Sequence, residues 1–163
     1  MKKVVKFGGS SLASARQFKK VKAIIDADKT RCYVVPSAPG KRDSKDTKVT
    51  DMLYQCYDAA STGQSYKRIL DQIKKRYTDI IDGLELNLNL DFEFSKIEEN
   101  FLNKVGRDYA ASRGEYLNGL IMANYLGFTF VDAADVIRFD ADGNFLSEET
   151  NEEMRENLAS LKK

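Results

Sequence analysis

VVKFGGSSLA, residues 4–13, places an apolar run containing one lysine directly before a pair of glycines. Residues 3–7 predict a strand that ends at the turn Gly8-Gly9. The residues that follow predict a helix, because apolar side chains recur there at helical spacing: Leu12, Ala15, Phe18, Val21, Ile24 and Ile25. RCYVVPS, residues 31–37, predicts a second strand whose ladder ends at Pro36. Strand, helix and strand in this order predict a βαβ unit with a right-handed crossover.

Length and composition restrict the classes of protein that this chain can form. The 163 residues are 42% hydrophobic, which is enough for one ordinary core and favours one domain. The net charge of +1 gives no reason to expect a nucleic acid or an anionic membrane as partner. No apolar stretch approaches the roughly 20 residues that a membrane span needs, and the first apolar run is too short for a signal peptide.

The chemistry available to the chain is limited by the absence of histidine. Without histidine, Ser-His and Cys-His nucleophile pairs and the commonest general base are excluded. The two cysteines, Cys32 and Cys56, lie apart in the sequence, which argues against a zinc site and a disulfide framework and favours small buried residues in a reduced cytoplasm. Chemistry would therefore use lysine, carboxylates, hydroxyls, backbone amides or a soluble metal ion.

The rest of the chain predicts a polar loop that is mobile, several helices and two further strands. We leave residues 84–94 open between extended chain and the start of a helix, because their apolar residues alternate strictly. The sequence predicts a loop over 38–51, followed by helices over 51–60, 65–82 and 95–105. A further helix is expected over 112–127, beginning at a Ser112/Glu115 capping box and stopping at Gly127. Strands over 128–133 and 135–139, a turn over 140–144 and a closing helix through Met154, Leu158 and Leu161 complete the chain. The DADGN turn does not have the spacing of a calcium loop.

The strand–glycine–helix junction is a candidate phosphate site. Gly8, Gly9 and Ser10 can turn backbone amides toward an anion, the helix that follows adds its dipole, and Lys6 supplies a mobile positive charge. The junction is neither a P-loop nor a G-x-G-x-x-G motif. Taken alone, a tight turn and an exposed lysine are the commoner interpretation.

Two further residues have both a structural and a functional interpretation. Glu115 fits a capping box with Ser112, or it faces a cavity and binds a cationic group such as an ammonium. Thr50, like Asp51, fits the N-cap of the helix that follows, or its hydroxyl helps to hold a carboxylate at that helix terminus. Spacing alone favours the caps.

Three motifs in order resemble the aspartokinase branch of the amino acid kinase family. They are VVKFGGSSLA, then YVVPSAPGKR with VTDML, then SRGEYLNGLIMANYLG followed by FTFVDAAD. The likeness runs over essentially the whole chain. It implies an α/β fold, a three-layer α/β/α sandwich with a mainly parallel sheet that is incomplete at its C-terminal side, with residues 1–163 as the N-terminal, substrate- and phosphate-binding part of the catalytic domain.

The resemblance also implies an activity and residue roles. The family transfers a phosphoryl group from MgATP to the β-carboxylate of L-aspartate, the first step toward lysine, threonine and methionine, in the cytoplasm. Lys6 would be the catalytic lysine at the ATP phosphates together with Gly8, Gly9 and Ser10, whereas Ser37, Thr50 and Glu115 would hold L-aspartate. The cofactors would be ATP and Mg²⁺, the metal held through the nucleotide phosphates and not by the protein, and the full-length parent would be a homo-oligomer.

The chain departs from the family pattern in two ways. Pro36 and Pro39 stiffen the loop after the second strand, and the charged KRDSKDTK segment before Thr50 is longer than in many relatives, which makes the alignment of Thr50 less secure than that of Lys6. The later GRGGSD-type and T-D-V-x-G segments are missing, so we expect a fragment without kinase activity on its own. The alternatives are a kinase for glutamate or N-acetylglutamate and a ligand-binding module that does no chemistry.

Overall fold

The N-terminal βαβ unit is confirmed in the computed structural model, which describes residues 1–161. Strand β1 (Lys3–Phe7), helix α1 (Ala15–Asp26) and strand β2 (Arg31–Pro36) follow in order, and β1 pairs with β2 in parallel. A short 3-10 turn, Gly9–Leu12, joins β1 to α1. The Ser37 amide donates to the Phe7 carbonyl at 3.0 Å, so the contact between the strands ends just beyond Pro36.

Alternation along β1 explains the lysine inside an apolar strand. Val5 and Phe7 pack against the hydrophobic core, whereas Val4 is 69% exposed and Lys6 is exposed on the same side. Successive side chains of a strand point to opposite faces, so Lys6 lies on the face away from the core.

Four helices complete the first compact unit, which spans Met1–Leu126. They are α2 (Val49–Ser61), α3 (Lys67–Gly83), α4 (Asp91–Leu102) and α5 (Arg107–Leu126). The apolar stripe of α3 is buried as its spacing predicts, through Leu70, Ile73, Tyr77 and Ile80. Cys56 is a free thiol in this core, and burial raises its pKa to about 12.

Both expected helix caps in this unit are wrong. Helix α2 begins at Val49 after Lys48, so Thr50 and Asp51 lie in its first turn and not at its N-cap. Helix α5 begins at Arg107, which places Ser112 inside the helix, where its hydroxyl donates to the Tyr109 carbonyl at 2.7 Å. An S-x-x-E spacing also fits a helix interior, because residues three apart share a face there.

The open segment 84–94 resolves into a turn at 84–85 and a stretch without regular secondary structure over 86–90, followed by a helix. Leu84 and Leu90 are buried and the polar residues between them are exposed, but this stretch joins no ladder among the described residues. Helix α4 then begins at Asp91 and ends at Leu102, before Lys104 with φ +57°, instead of spanning 95–105. Alternating burial therefore marks a chain lying across the core.

A second compact unit begins at Gly127, whose φ of +69° ends α5 as predicted. It contains the short helix α6 (Ala133–Val136) and helix α7 (Ser147–Ala159). The closing helix is thus confirmed through Met154 and Leu158, but it ends before Leu161. The predicted turn at 140–144 is also present, with the Asp140 carboxylate accepting the Asn144 amide at 2.8 Å.

The expected strands over 128–133 and 135–139 are wrong for the described residues. Within residues 127–161 the only strand-like pairing is the bridge between Phe139 and Phe145. A strand needs a neighbouring backbone to satisfy its amides and carbonyls, and an apolar sequence cannot supply that neighbour by itself. Over residues 1–161 the fold is mostly helical with a small parallel sheet, and none of the described helices has the length and apolar character that a bilayer crossing requires.

Candidate functional site

The site is built where β1 and β2 end, because two glycines there bring separate segments into contact. The Gly40 amide donates to the Gly9 carbonyl at 2.8 Å. A Cβ on Gly9 would lie 2.9 Å from the Ala38 carbonyl oxygen, and one on Gly40 would lie 2.6 Å from the Gly9 carbonyl carbon. A Cβ on Gly8, in contrast, would meet nothing within 4 Å. Of the glycine pair, Gly9 is therefore required for close backbone packing.

Gly114 brings helix α5 to the same place. A Cβ on Gly114 would lie 2.7 Å from the Ala38 Cβ and 3.8 Å from the Thr50 hydroxyl. The absence of a side chain lets α5 approach both the end of β2 and the first turn of α2. The neighbouring residue, Glu115, is exposed, and its Oε1 accepts a long hydrogen bond of 3.5 Å from the Ala38 amide. Glu115 thus lies beside Ala38 and is not part of a capping box.

Ser37 is connected to α5 by a residue that the sequence analysis missed. Asn118 is fully buried, and its Nδ2 donates to the Ser37 carbonyl at 2.7 Å. Its Oδ1 has no hydrogen-bond partner among the described residues. A buried amide normally satisfies both of its ends, so this oxygen marks a polar position next to Ser37. The available signal was one asparagine among the apolar residues of 117–122.

Helix α3 supplies two more residues that were missed. The Tyr77 hydroxyl donates to the Gly114 carbonyl at 2.8 Å, and complete burial raises the Tyr77 pKa well above its ordinary value. Arg76 is buried and donates to carbonyls of the loop between β2 and α2. That loop was expected to be mobile. Its start at Ala38–Gly40 is buried, whereas residues 41–45 are exposed as a surface loop would be.

The predicted site residues fall into two groups. Ser37, Thr50, Glu115 and Gly9 come together through their contacts with residues 38–40 and with α5. Lys6 pairs in register with Val35 on the exposed face, and its side chain makes no hydrogen bond or ion pair within residues 1–161. Gly8 and Ser10 adjoin Gly9 in the chain. Lys6, Gly8 and Ser10 form the second group, which among the described residues is connected to the first group through the backbone and not through side-chain hydrogen bonds or ion pairs.

The donor set of the site does not include a protein-built metal cage. No group of three or more His, Cys, Asp or Glu in the described part of the chain could hold a metal ion.

Comparison with known proteins identifies the family. A model of the amino acid kinase family matches residues 1–162. The chain belongs to the amino acid kinase family. The resemblance of its three motifs is thereby confirmed, and relatives named as aspartokinases support the same branch. Aspartokinase 3 of Bacillus subtilis is 37% identical over 153 residues, which are 90% of this chain and 34% of that protein.

Solved structures agree with this assignment to the amino acid kinase family. The aspartate kinase of Clostridium acetobutylicum is 48% identical and superposes with a TM-score of 0.92 over 96% of this chain and 36% of its own. Aspartokinase III of Escherichia coli, solved with aspartate and ADP, is 21% identical with a TM-score of 0.68 over 97% of this chain and 38% of its own, a likeness that concerns the fold alone. The chain thus spans about a third of the length of these relatives.

Proposed function

We propose that this chain forms the amino-acid- and phosphate-binding part of an aspartate kinase. The reaction would transfer the γ-phosphoryl group of ATP to the β-carboxylate of L-aspartate. Identity of 48% to the Clostridium enzyme at a TM-score of 0.92 supports this activity over that of a more distant amino acid kinase. Aspartate and ADP are the molecules bound in the E. coli aspartokinase III structure.

The observation that carries the proposal is the group formed by Ser37, Ala38, Thr50 and Glu115, which we call the acceptor side. The exposed Glu115 carboxylate accepts from the Ala38 amide, and its chain neighbour Gly114 lies against Thr50 in the first turn of α2. An amino acid zwitterion presents an ammonium and a carboxylate, so Glu115 would face the ammonium. The Thr50 and Asp51 amides in the first turn of α2 and the Thr50 hydroxyl would face the carboxylate.

The phosphate side would consist of Lys6, Gly8, Gly9 and Ser10. Its contribution would be a mobile positive charge and backbone donors near the transferring group. ATP would carry Mg²⁺, which neutralises charge on the phosphates when bound. Lys6, on the exposed face of β1, keeps its ammonium available for such an anion.

The reaction requires no general base from the protein. With an ordinary pKa of about 3.9, the β-carboxylate of aspartate is ionised at neutral pH and is itself the nucleophile. A carboxylate oxygen forms a bond to the γ-phosphorus, the bond between that phosphorus and the β,γ-bridging oxygen breaks, and ADP leaves with that electron pair. Catalysis would consist of positioning and charge stabilisation, which is compatible with a chain that lacks histidine.

Other parts of the proposal concern the protein to which this sequence belongs. They are a three-layer α/β/α catalytic domain with a mainly parallel sheet, a homo-oligomeric assembly, a cytoplasmic location and a place in lysine, threonine and methionine synthesis. Their support is the family and the names of the relatives. Because the chain spans 34% of the Bacillus enzyme, we expect the 163 residues alone to form no ADP.

Calorimetric titration of the 163-residue chain tests the proposal. L-aspartate should bind with one-to-one stoichiometry, and L-glutamate and N-acetyl-L-glutamate should bind at least about tenfold more weakly, equivalent to about 1.4 kcal/mol. N-acetyl-L-glutamate lacks the ammonium that Glu115 would face, so it is the matched control for L-glutamate. Tighter binding of L-glutamate would favour the glutamate kinase alternative, and binding of none of the three would contradict the proposed site.

A further inference from the structure

Arg76 is a buried charged residue on a helix whose other arginine is exposed. It is 4% exposed, whereas Arg68 and Lys75 on the same helix α3 are exposed. Removing a guanidinium from water costs several kcal/mol unless hydrogen bonds and an opposite charge compensate it. A buried arginine therefore implies partners that depend on it.

All of these partners lie in one segment, residues 40–47. Arg76 Nη2 donates to the Gly40 carbonyl at 2.6 Å, and Nη1 donates to the Thr47 carbonyl at 2.9 Å. Nη1 also lies 3.1 Å from Oδ2 of Asp46. One guanidinium thus contacts both the beginning and the end of the loop that joins β2 to α2.

A second arginine, Arg42, binds the same Asp46 carboxylate from the solvent side. Arg42 donates to Asp46 Oδ2 through Nε at 2.7 Å and to Oδ1 through Nη2 at 3.0 Å. These bonds hold the pKa of Asp46 well below its usual range, so the carboxylate stays charged against Arg76. Asp79 also interacts electrostatically with both arginines, and Asp43 interacts with Arg42.

The loop that Arg76 binds leads at its two ends to Ala38 and Thr50 of the acceptor side. Gly40, whose carbonyl accepts from Arg76, packs against Gly9 and lies two residues after Ala38, the partner of Glu115. Thr47 leads into α2, and the Val49 amide closes the loop by donating to the Pro39 carbonyl at 3.1 Å. Thr50 is the next residue along the chain.

We propose that Arg76 is a positioning residue that fixes the 40–47 loop and so sets the Ala38 amide and Thr50 in place for the amino acid. The identity of that ligand rests on the proposed function. Arg76 acts through the loop and touches no substrate. It differs from a merely stabilising core residue because its hydrogen bonds end on the loop that carries the site.

The experiment combines amide hydrogen exchange by NMR with L-aspartate calorimetry on the 163-residue chain. Arg76→Met keeps the aliphatic length and removes the donors, whereas Arg76→Lys keeps the charge but has a single donor nitrogen in place of the guanidinium fork. Asp46→Asn loosens the same contact from the half-exposed side and remains usable if Arg76→Met does not fold. Arg68→Met is the matched control on α3, and Ile97→Ala, in α4, is a core variant that lowers stability without touching the loop.

We expect Arg76→Met to accelerate exchange of the Gly40 and Val49 amides by about tenfold or more and to weaken L-aspartate binding by about tenfold. Arg76→Lys should restore part of the slow exchange and part of the L-aspartate affinity. Asp46→Asn should change both quantities in the same direction as Arg76→Met but by less. Ile97→Ala should lower Tm while leaving the relative exchange of these two amides and the aspartate affinity unchanged.

Two results would overturn the inference: unchanged exchange at Gly40 and Val49 in Arg76→Met, or accelerated exchange with unchanged L-aspartate affinity. If the unmodified chain binds no L-aspartate, the proposed function fails. Exchange at the two amides then decides the role of Arg76 by itself, because it requires no ligand.

Discussion

The acceptor side and the phosphate side differ in how the chain holds them. Buried polar side chains from α3 and α5 support the acceptor side: Arg76 binds the loop, Tyr77 binds the Gly114 carbonyl and Asn118 binds the Ser37 carbonyl. The phosphate side has Lys6 on an exposed strand face, without a hydrogen-bond or ion-pair partner in residues 1–161. One side is ordered before a ligand arrives, whereas the Lys6 side chain keeps its rotamer freedom until an anion orders it.

The largest expected effect is on the acceptor side, at Glu115. Glu115→Gln removes the charge opposite the ligand ammonium, and a hydrogen bond to a charged group is worth about 1.5–3 kcal/mol, so L-aspartate should bind about 10- to 100-fold more weakly by calorimetry. Tm should stay unchanged because Glu115 is exposed. Glu99→Gln, an exposed carboxylate on α4, is the control. Equal affinities for L-aspartate in the two variants would remove Glu115 from the site.

The glycine pair allows the junction of the two sides to be broken selectively. Gly9→Ala should destabilise the chain by about 2 kcal/mol, since overpacking at a tight contact costs about 1–3 kcal/mol. Gly8→Ala is the matched control, because a Cβ there has nothing within 4 Å. Urea unfolding of both variants measures the difference. Equal free energies of unfolding for the two variants would show that the close approach of Gly9 to residues 38–40 does not contribute to stability.

Replacing Lys6 should affect nucleotide binding and not L-aspartate binding. Lys6→Ala should leave L-aspartate binding and Tm unchanged and weaken the binding of MgADP by about fivefold, equivalent to about 1 kcal/mol for one charge contact. Lys20→Ala, an exposed lysine on α1, controls for net charge. Unchanged MgADP binding, measured at one fixed salt concentration, would exclude Lys6 from the phosphate side.

The smallest expected effect is on pH-dependent stability and concerns Asp46. Its pKa in the folded chain lies below the unfolded value, chiefly because Arg42 donates to it. The stabilisation is therefore complete above the unfolded pKa of about 3.9 and is lost as the pH falls below it. After solvent screening, we expect at most about 1 kcal/mol. Thermal melts between pH 2 and pH 6 should show a shallower acid loss for Asp46→Asn, and parallel curves would contradict this assignment.

Sequence reasoning worked best where a segment carried its own evidence. The spacing of Phe18, Val21 and Ile25 predicted α1, and the apolar runs around Val5 and Val34 predicted the two paired strands. Helical periodicity and strand pairing between neighbouring segments need only local information. The family motifs then placed Ser37, Thr50 and Glu115 in one site, and the structure brings them around Ala38 and Gly114.

The failures concern information that the pattern of a single segment does not contain. Arg76 follows two lysines and looks like part of a solvated face, while its acceptors lie 29 and 36 residues earlier. The Ser112/Glu115 spacing fits a cap equally well as a helix interior, and only Arg107 as the first residue of α5 distinguishes them. Residues 128–133 have strand character but no ladder partner in the part of the chain that the structure describes.

Whether the acceptor side binds the amino acid is measured by titrating the ¹⁵N-labelled 163-residue chain with L-aspartate and following the Ala38 and Thr50 amides by NMR. We expect saturable shifts at both amides that are abolished in Glu115→Gln and that appear without any nucleotide. Unmoved Ala38 and Thr50 signals at an aspartate concentration that saturates a calorimetric binding curve would contradict binding at the acceptor side, because the amino acid would then be held elsewhere.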